Sequence, residues 1–127
     1  MNKKIENILI VDYGSQYTQL IARRIRELEV FCFVYPFHKI TNKLLREINP
    51  TAFVFSGGPK SVLDKNSPKL NSNILKCNKP ILAICYGMQL LTKKLGGKVV
   101  SSNNREYGHT FININNKSII FDDIKKN

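Results

Sequence analysis

Short apolar runs recur along the first two thirds of the chain, and each gives way to a turn and then to a segment of helical period. Ile8-Leu9-Ile10-Val11 is continuous, apolar and rich in β-branched residues, the pattern of a strand covered on both faces within a parallel sheet. After Asp12-Tyr13-Gly14-Ser15 the period changes. Tyr17, Leu20, Ile21, Ile25 and Leu28 then share one helical stripe, with Arg23, Arg24 and Arg26 largely outside it. The unit repeats: Val30 to Tyr35 predicts a second strand stopped by Pro36, and Thr41 offers a hydroxyl cap to a helix carrying Leu44, Leu45 and Ile48. Ala52-Phe53-Val54-Phe55 predicts a third strand, running into Ser56-Gly57-Gly58-Pro59. Ser67-Pro68 has the form of an N-cap followed by proline at the first helical position, which predicts a short helix over Lys69 to Lys76. Ile81 to Ile84 is the fourth expected strand. Tyr86 to Leu95 is its helix, with Met88, Leu91 and Leu95 facing inward and Gly96-Gly97 ending it.

Strand-to-helix units in this order predict an α/β fold, a doubly wound and mostly parallel sheet of flavodoxin-like type, with ligand sites beyond the carboxyl ends of the strands. The loops at Asp12-Ser15, Ser56-Pro59 and Cys85-Gly87 all fall at that edge. The tail changes character: Thr110 to Ile114 and Ser118 to Phe121 read as two strands of a β-hairpin turning near Asn115-Asn116. No linker or low-complexity tract divides the 127 residues, so a single domain is expected.

Composition changes this picture little. A hydrophobic content of 43% suffices for one core, and no run approaches the roughly 20 apolar residues of a membrane-spanning helix. Met1-Asn2-Lys3-Lys4 leads straight into the first strand, without the form of a signal sequence, so a cytoplasmic location is expected. The net charge of +11 raises a nucleic-acid-binding module as a possible class. Its lysines, however, are scattered singly or in pairs with no dense basic run or RNP-like aromatic motif, and a solvated surface accounts for them. Cys32, Cys77 and Cys85 form no CxxC pair, which disfavours both a disulfide framework and a structural zinc site.

One of the three cysteines has the setting of a reactive group. In Pro80-Ile81-Leu82-Ala83-Ile84-Cys85-Tyr86-Gly87-Met88-Gln89, Cys85 falls between the end of a buried strand and the start of a helix, a sharp turn that pushes its side chain to the working edge of the sheet. Gly87 supplies the small side such a nucleophile elbow requires, and the helix N-terminus favours a thiolate there. Ala83 counts against it slightly, since elbows of this kind usually carry glycine at that position. Cys32 and Cys77, by contrast, read as small apolar core residues. Attack of a thiolate on an amide carbonyl also needs donors for the oxyanion that forms. The Ser56-Gly57-Gly58-Pro59 loop can present a backbone N–H, and the N–H of Tyr86, next after the nucleophile, is the natural second donor.

Taken together, these segments resemble the class I glutamine amidotransferases, and most closely the GMP synthase group among them. The resemblance is carried by Asp12-Tyr13-Gly14-Ser15-Gln16-Tyr17-Thr18-Gln19-Leu20-Ile21-Ala22-Arg23-Arg24-Ile25-Arg26, by Ser56-Gly57-Gly58-Pro59-Lys60-Ser61-Val62, by Cys85-Tyr86-Gly87-Met88-Gln89 and by Arg105-Glu106-Tyr107-Gly108-His109. It implies glutamine hydrolysis through a Cys85 thioester, with oxyanion N–H groups from Gly58 and Tyr86, a loop shaped by Gly57, and Gln89 helping to hold the substrate glutamine. Gly14 and Gln16 lie on a neighbouring loop, where a tight turn and a surface helix start explain them as well as ligand contact does. Arg105 and Glu106 are expected to be structural or interface-forming.

The same resemblance implies an amidotransferase domain that is C-terminally incomplete over residues 1–127. In the family a downstream His-x-Glu pair supplies the general base and its orienting carboxylate, and nothing after His109 resembles it. His38 and His109 read as surface or packing histidines, so the chain alone is expected to have little or no activity. The resemblance does not extend to the ATP-pyrophosphatase and dimerisation regions, which in GMP synthase use ATP, Mg2+ and XMP and are expected to lie outside these 127 residues, and no cofactor or metal is expected in this chain. Glutamine is the implied ligand, and the ATP-pyrophosphatase part of GMP synthase, if it is encoded separately, the implied partner; no specific nucleic acid or membrane is expected. The alternative is a non-catalytic glutamine-binding or regulatory module of the same fold.

Overall fold

In a computed structural model that describes residues 4–104, 108–114 and 118–124, the four expected strands form one parallel sheet. They are β1 (Asn7–Asp12), β2 (Phe31–Pro36), β3 (Ala52–Phe55) and β4 (Ile81–Ala83), in the spatial order β2-β1-β3-β4. Ile10, for example, lies level with Val34 on one side and Val54 on the other. Their helices are α1 (Thr18–Glu27), α2 (Asn42–Ile48), α3 (Ser72–Lys76) and α4 (Tyr86–Lys94).

Alternation along the strands sorts the core into two layers. Leu9, Val11, Phe53 and Phe55 face one way and pack with Leu45 of α2, Ile74 of α3 and Leu90 of α4. Ile10, Cys32 and Val54 face the other way, against Ala22, Ile21 and Ile25 of α1. With α1 alone on its face, the border strand β4 has a bare side, and Leu82 is 49% exposed there. The cover on both faces expected of the first strand is found there, whereas the fourth, expected to be buried, is covered on the Ile81 and Ala83 side alone.

Several local expectations are corrected. On α1 the inward stripe is Thr18, Ile21, Ala22 and Ile25, while Tyr17, Leu20 and Leu28 are exposed. On α4 it is Tyr86, Leu90 and Leu91, and Met88 and Leu95 face outward. In each helix one small buried residue, Ala22 on α1 and Gly87 on α4, lies against the sheet where the backbones come close, and the larger inward residues flank it. The third helix begins at Ser72, not Lys69. Asn71 accepts from the Asn73 N–H as its cap, and Ser67-Pro68 stays in the preceding loop. Thr41 does cap α2, accepting from the Leu44 N–H at 3.1 Å.

The expected terminal hairpin does not form among the described residues. Thr110 to Ile114 has no strand structure, Ile119–Phe121 is a single 3-10 turn, and Phe111 and Ile119 are almost fully exposed. An isolated two-stranded hairpin is marginal in water, and among the described residues neither segment pairs with a border strand of the sheet. The Asn115-Asn116 turn and Arg105, Glu106 and Tyr107 lie outside the described residues.

Candidate functional site

The strand order reverses between β1 and β3, so the loops leaving their carboxyl ends diverge and open a crevice. A cavity of about 350 Å³ occupies it, lined by Gly14, Ser15, Gln16 and Tyr17 after β1, by Gly57, Gly58 and Pro59 after β3, and by Cys85 after β4. All three loops singled out in the sequence thus converge on one space.

The β1 loop is braced by its own polar groups. Asp12 Oδ1 accepts from the Gly14 N–H at 2.8 Å and from the Thr18 hydroxyl at 2.9 Å, and Ser15 Oγ accepts from the Tyr17 N–H at 3.0 Å. Beneath the loops, Tyr13 stacks on Phe37 at 5.8 Å between ring centres and tilts against Tyr86 at 5.5 Å. Burial pushes the Tyr13 phenol well above its ordinary value, with the neighbouring Tyr86 adding to the rise. Burial likewise raises the Tyr86 phenol, whose hydroxyl donates to the Pro68 carbonyl.

Cys85 sits at the N-cap of α4 with φ 49° and ψ −113°, a conformation that costs a non-glycine residue about 1–3 kcal/mol. The contacts around Gly87 hold it there. A methyl group at Gly87 would come within 2.6 Å of Phe55 Cβ and 2.8 Å of the Ser56 carbonyl, so only glycine lets the start of α4 press so closely on β3. The Gly87 N–H is shared between the Ser56 and Ile84 carbonyls, at 3.1 and 2.9 Å. The sulfur-bearing side chain is consequently exposed, in contrast to buried Cys32 and partly buried Cys77. Ala83, the doubtful residue of the elbow, lies level with Phe55 at the end of β4 and packs on the main core, so its methyl group is accommodated.

Gly57 on the β3 loop faces this cysteine: a Cβ built on it would lie 3.3 Å from Cys85 Cβ. At Gly58 the same construction falls 2.5 Å from the Tyr13 carbonyl, so a side chain there would force the two loops apart. Among the described residues the Gly58 N–H meets no protein acceptor. The Tyr86 ring is turned into the core and is 2% exposed, but its N–H, the first of α4, has no partner within the helix. Gln89 does not line the cavity. It lies one turn into α4, its N–H bonded to the Cys85 carbonyl at 3.1 Å, and its side-chain oxygen is shielded from solvent without a partner among the described residues. Gly14 and Gln16, left open by the sequence, do line the cavity, and Ser15 joins them unforeseen.

Neither His38 nor His109 borders this space; His38 lines a separate surface cleft with Lys65 and Lys69, and His109 packs edge-on against Phe111. Among the described residues no cluster of three or more His, Cys, Asp or Glu is placed to hold a metal ion, and no helix is long and apolar enough to cross a membrane.

An exposed cysteine on a strand-to-helix elbow, beside a glycine loop at the switch point of a parallel sheet, defines an α/β protein of the nucleophile-elbow type. Residues 9–127 match the family described as glutamine amidotransferase class-I, and the chain belongs to that family. Among similar proteins, GMP synthase [glutamine-hydrolyzing] of Streptococcus uberis is 52% identical over 126 residues, and that of Caldanaerobacter subterraneus subsp. tengcongensis is 49% identical over 126 residues. These alignments take in 97% and 99% of this chain but 24% of each relative, so the chain spans about a quarter of the length of the curated relatives it matches. Among solved structures, a Thermoplasma acidophilum protein described as a GMP synthase subunit superposes with a TM-score of 0.63 at 27% identity, over 84% of this chain and 53% of that one.

Proposed function

We propose that this chain is the glutamine-hydrolysing portion of a GMP synthase, in which Cys85 attacks the side-chain amide of glutamine. The Sγ–carbon bond forms as the carbonyl π electrons move to oxygen, and the N–H groups of Gly58 and Tyr86 receive that negative charge. Collapse of the adduct expels ammonia, which takes a proton as it leaves, and water then cleaves the Cys85 thioester to glutamate. Gly57 keeps the loop slim enough for the amide to reach the sulfur. Gln89 is assigned to substrate support by the family resemblance; it stands one turn behind Cys85 on α4, outside the cavity lining, and reaches glutamine only once its shielded side-chain oxygen turns toward the cavity. The step needs no metal or cofactor in this chain. ATP and Mg2+ serve a separate ATP-pyrophosphatase part, which would use the released ammonia to convert XMP to GMP. The reading places the protein in the cytoplasm, in keeping with three unpaired thiols.

The observation that carries this reading is the exposed Cys85 at positive φ, facing the Gly57-Gly58 loop across a shared cavity. A base must take the thiol proton and return it to the leaving ammonia, and among the described residues no histidine lines the cavity. The 127-residue chain by itself should therefore turn glutamine over slowly, by a factor of roughly 10⁴ to 10⁶ relative to a complete triad. Glutamate release is measured for the chain alone and after mixing with the complementary portion of a GMP synthase, for wild type and Cys85→Ala. Expected are slow release alone, stimulation on mixing, and its abolition in the variant. Release that survives Cys85→Ala, or glutamine binding with no stimulated turnover, would overturn the reading.

A further inference from the structure

Ser56 is the residue of the β3 loop for which the chemistry at Cys85 leaves no role, yet all of its hydrogen-bonding groups are engaged. It is fully buried. Its N–H donates to the Val11 carbonyl at 3.1 Å, and its carbonyl accepts from the Gly87 N–H at 3.1 Å. Its hydroxyl oxygen accepts from the Tyr13 N–H at 3.0 Å and donates to the Gly57 carbonyl at 2.9 Å. One side chain thereby joins the end of β1 to the glycine loop, and one backbone joins β1 to the elbow.

The bond to the Gly57 carbonyl has a directional consequence. In a trans peptide the C=O and the following N–H point to opposite sides, and no peptide among the described residues is cis. Gly57 and Gly58 are flanked by a cavity on one side and by buried Ser56 on the other. Glycines alone would let the peptide between them turn over, since neither has a side chain to resist it. Drawing the Gly57 carbonyl inward commits the Gly58 N–H to the outward side, where it meets no protein acceptor among the described residues. We infer that Ser56 is a positioning residue for the oxyanion, its hydroxyl locking the Gly57–Gly58 peptide with the Gly58 N–H aimed into the cavity beside Cys85. The inference rests on the proposed amidotransferase reading and deepens it: preorganisation of a donor matters most where charge develops, so Ser56 acts on the adduct and hardly on the bound amide.

A matched pair of ligands separates these two states. Glutaric semialdehyde, which lacks the amino group that would make a glutamate aldehyde cyclise, adds to the Cys85 thiol. The sulfur–carbon bond forms, the thiol proton ends on the former carbonyl oxygen, and nothing leaves. Glutaramate, the corresponding amide, carries the same reactive group as glutamine, and with no histidine lining the cavity among the described residues the chain alone turns it over so slowly that calorimetry reads the unreacted amide. Adduct formation by the chain is followed by carbon-13 NMR of the labelled aldehyde carbon, glutaramate binding by calorimetry, and folding by Tm. For Ser56→Ala we expect the aldehyde adduct to weaken by about 10- to 100-fold, as for partial loss of one oxyanion donor, with glutaramate affinity within about 2-fold of wild type. Should that variant not fold, Ser56→Cys keeps the size with a far weaker donor, and a smaller loss of the same selectivity is expected. Equal effects on both ligands, or none on the aldehyde, would overturn the role of Ser56 while leaving the amidotransferase reading intact. Failure of the wild-type chain to form an adduct at Cys85 would overturn that reading and this inference with it.

Discussion

Replacing Tyr13 by phenylalanine is expected to stabilise the protein. The Tyr13 ring is 2% exposed, stacked on Phe37 and edge-on to Phe55 at 5.9 Å, and the substitution keeps all of these contacts. It removes only a hydroxyl that is shielded from solvent with no partner among the described residues. Leaving such a group unsatisfied costs about 1–3 kcal/mol, whereas the packing lost with one oxygen atom is on the order of one methylene, about 1 kcal/mol. The net gain is then about 1 kcal/mol, seen in urea unfolding at neutral pH as a higher midpoint at unchanged slope. Alkaline pH should widen the difference. Because burial, with Tyr86 nearby, raises the Tyr13 phenol above its ordinary value of 10.0, the folded state holds a proton that the unfolded chain releases. The sign follows: this contribution is whole below pH 10.0 and is lost as the pH climbs beyond it, at about 1.4 kcal/mol per pH unit. The phenylalanine variant lacks that loss. It retains the raised Tyr86 phenol, so its alkaline slope is reduced without vanishing. A destabilisation of more than about 1 kcal/mol at neutral pH, or an alkaline slope equal to wild type, would refute the reasoning by showing the hydroxyl to be paired.

Two further substitutions probe the elbow. Gly87→Ala places a methyl group within 2.9 Å of three atoms of Phe55 and Ser56, two of them backbone oxygens and the third the Phe55 Cβ, and should cost about 2 kcal/mol or more in thermal or urea unfolding; an unchanged midpoint would mean that α4 is free to move off β3. Cys85→Gly relieves the strain of φ 49°, worth about 1–3 kcal/mol, against an entropic loss of about 0.5–1 kcal/mol for the added glycine. A net gain of about 1 kcal/mol should therefore accompany the loss of the reactive thiol, and a lower Tm for this variant would show the elbow to be unstrained.

Where one residue decides a local structure, the sequence is sufficient to read it. The third strand is legible residue for residue because Asn49-Pro50 and Gly57-Gly58 bracket it, and the Thr41 cap because its hydroxyl needs only the N–H three residues on. The elbow is legible for the same reason. Helix faces are not, since Tyr17 and Met88 have the spacing of core residues, and only the closeness of Ala22 and Gly87 to the sheet decides that the small residues point inward. The tail misleads because alternation in Thr110 to Ile114 promises a strand only where another strand receives it. Ser56 stands in its loop without an evident role: a serine before two glycines reads as an ordinary turn until Tyr13 and Gly57 are seen on either side of its hydroxyl.

The press of Gly87 on Phe55 and Ser56 means that the sulfur of Cys85 is located by the contacts of its neighbour and by nothing in its own chemistry. The seat is indifferent to its occupant. Oxygen or selenium put in place of the sulfur would be carried to the same spot, so a comparison of such exchanges would report the intrinsic reactivity of each element, free of any change in address.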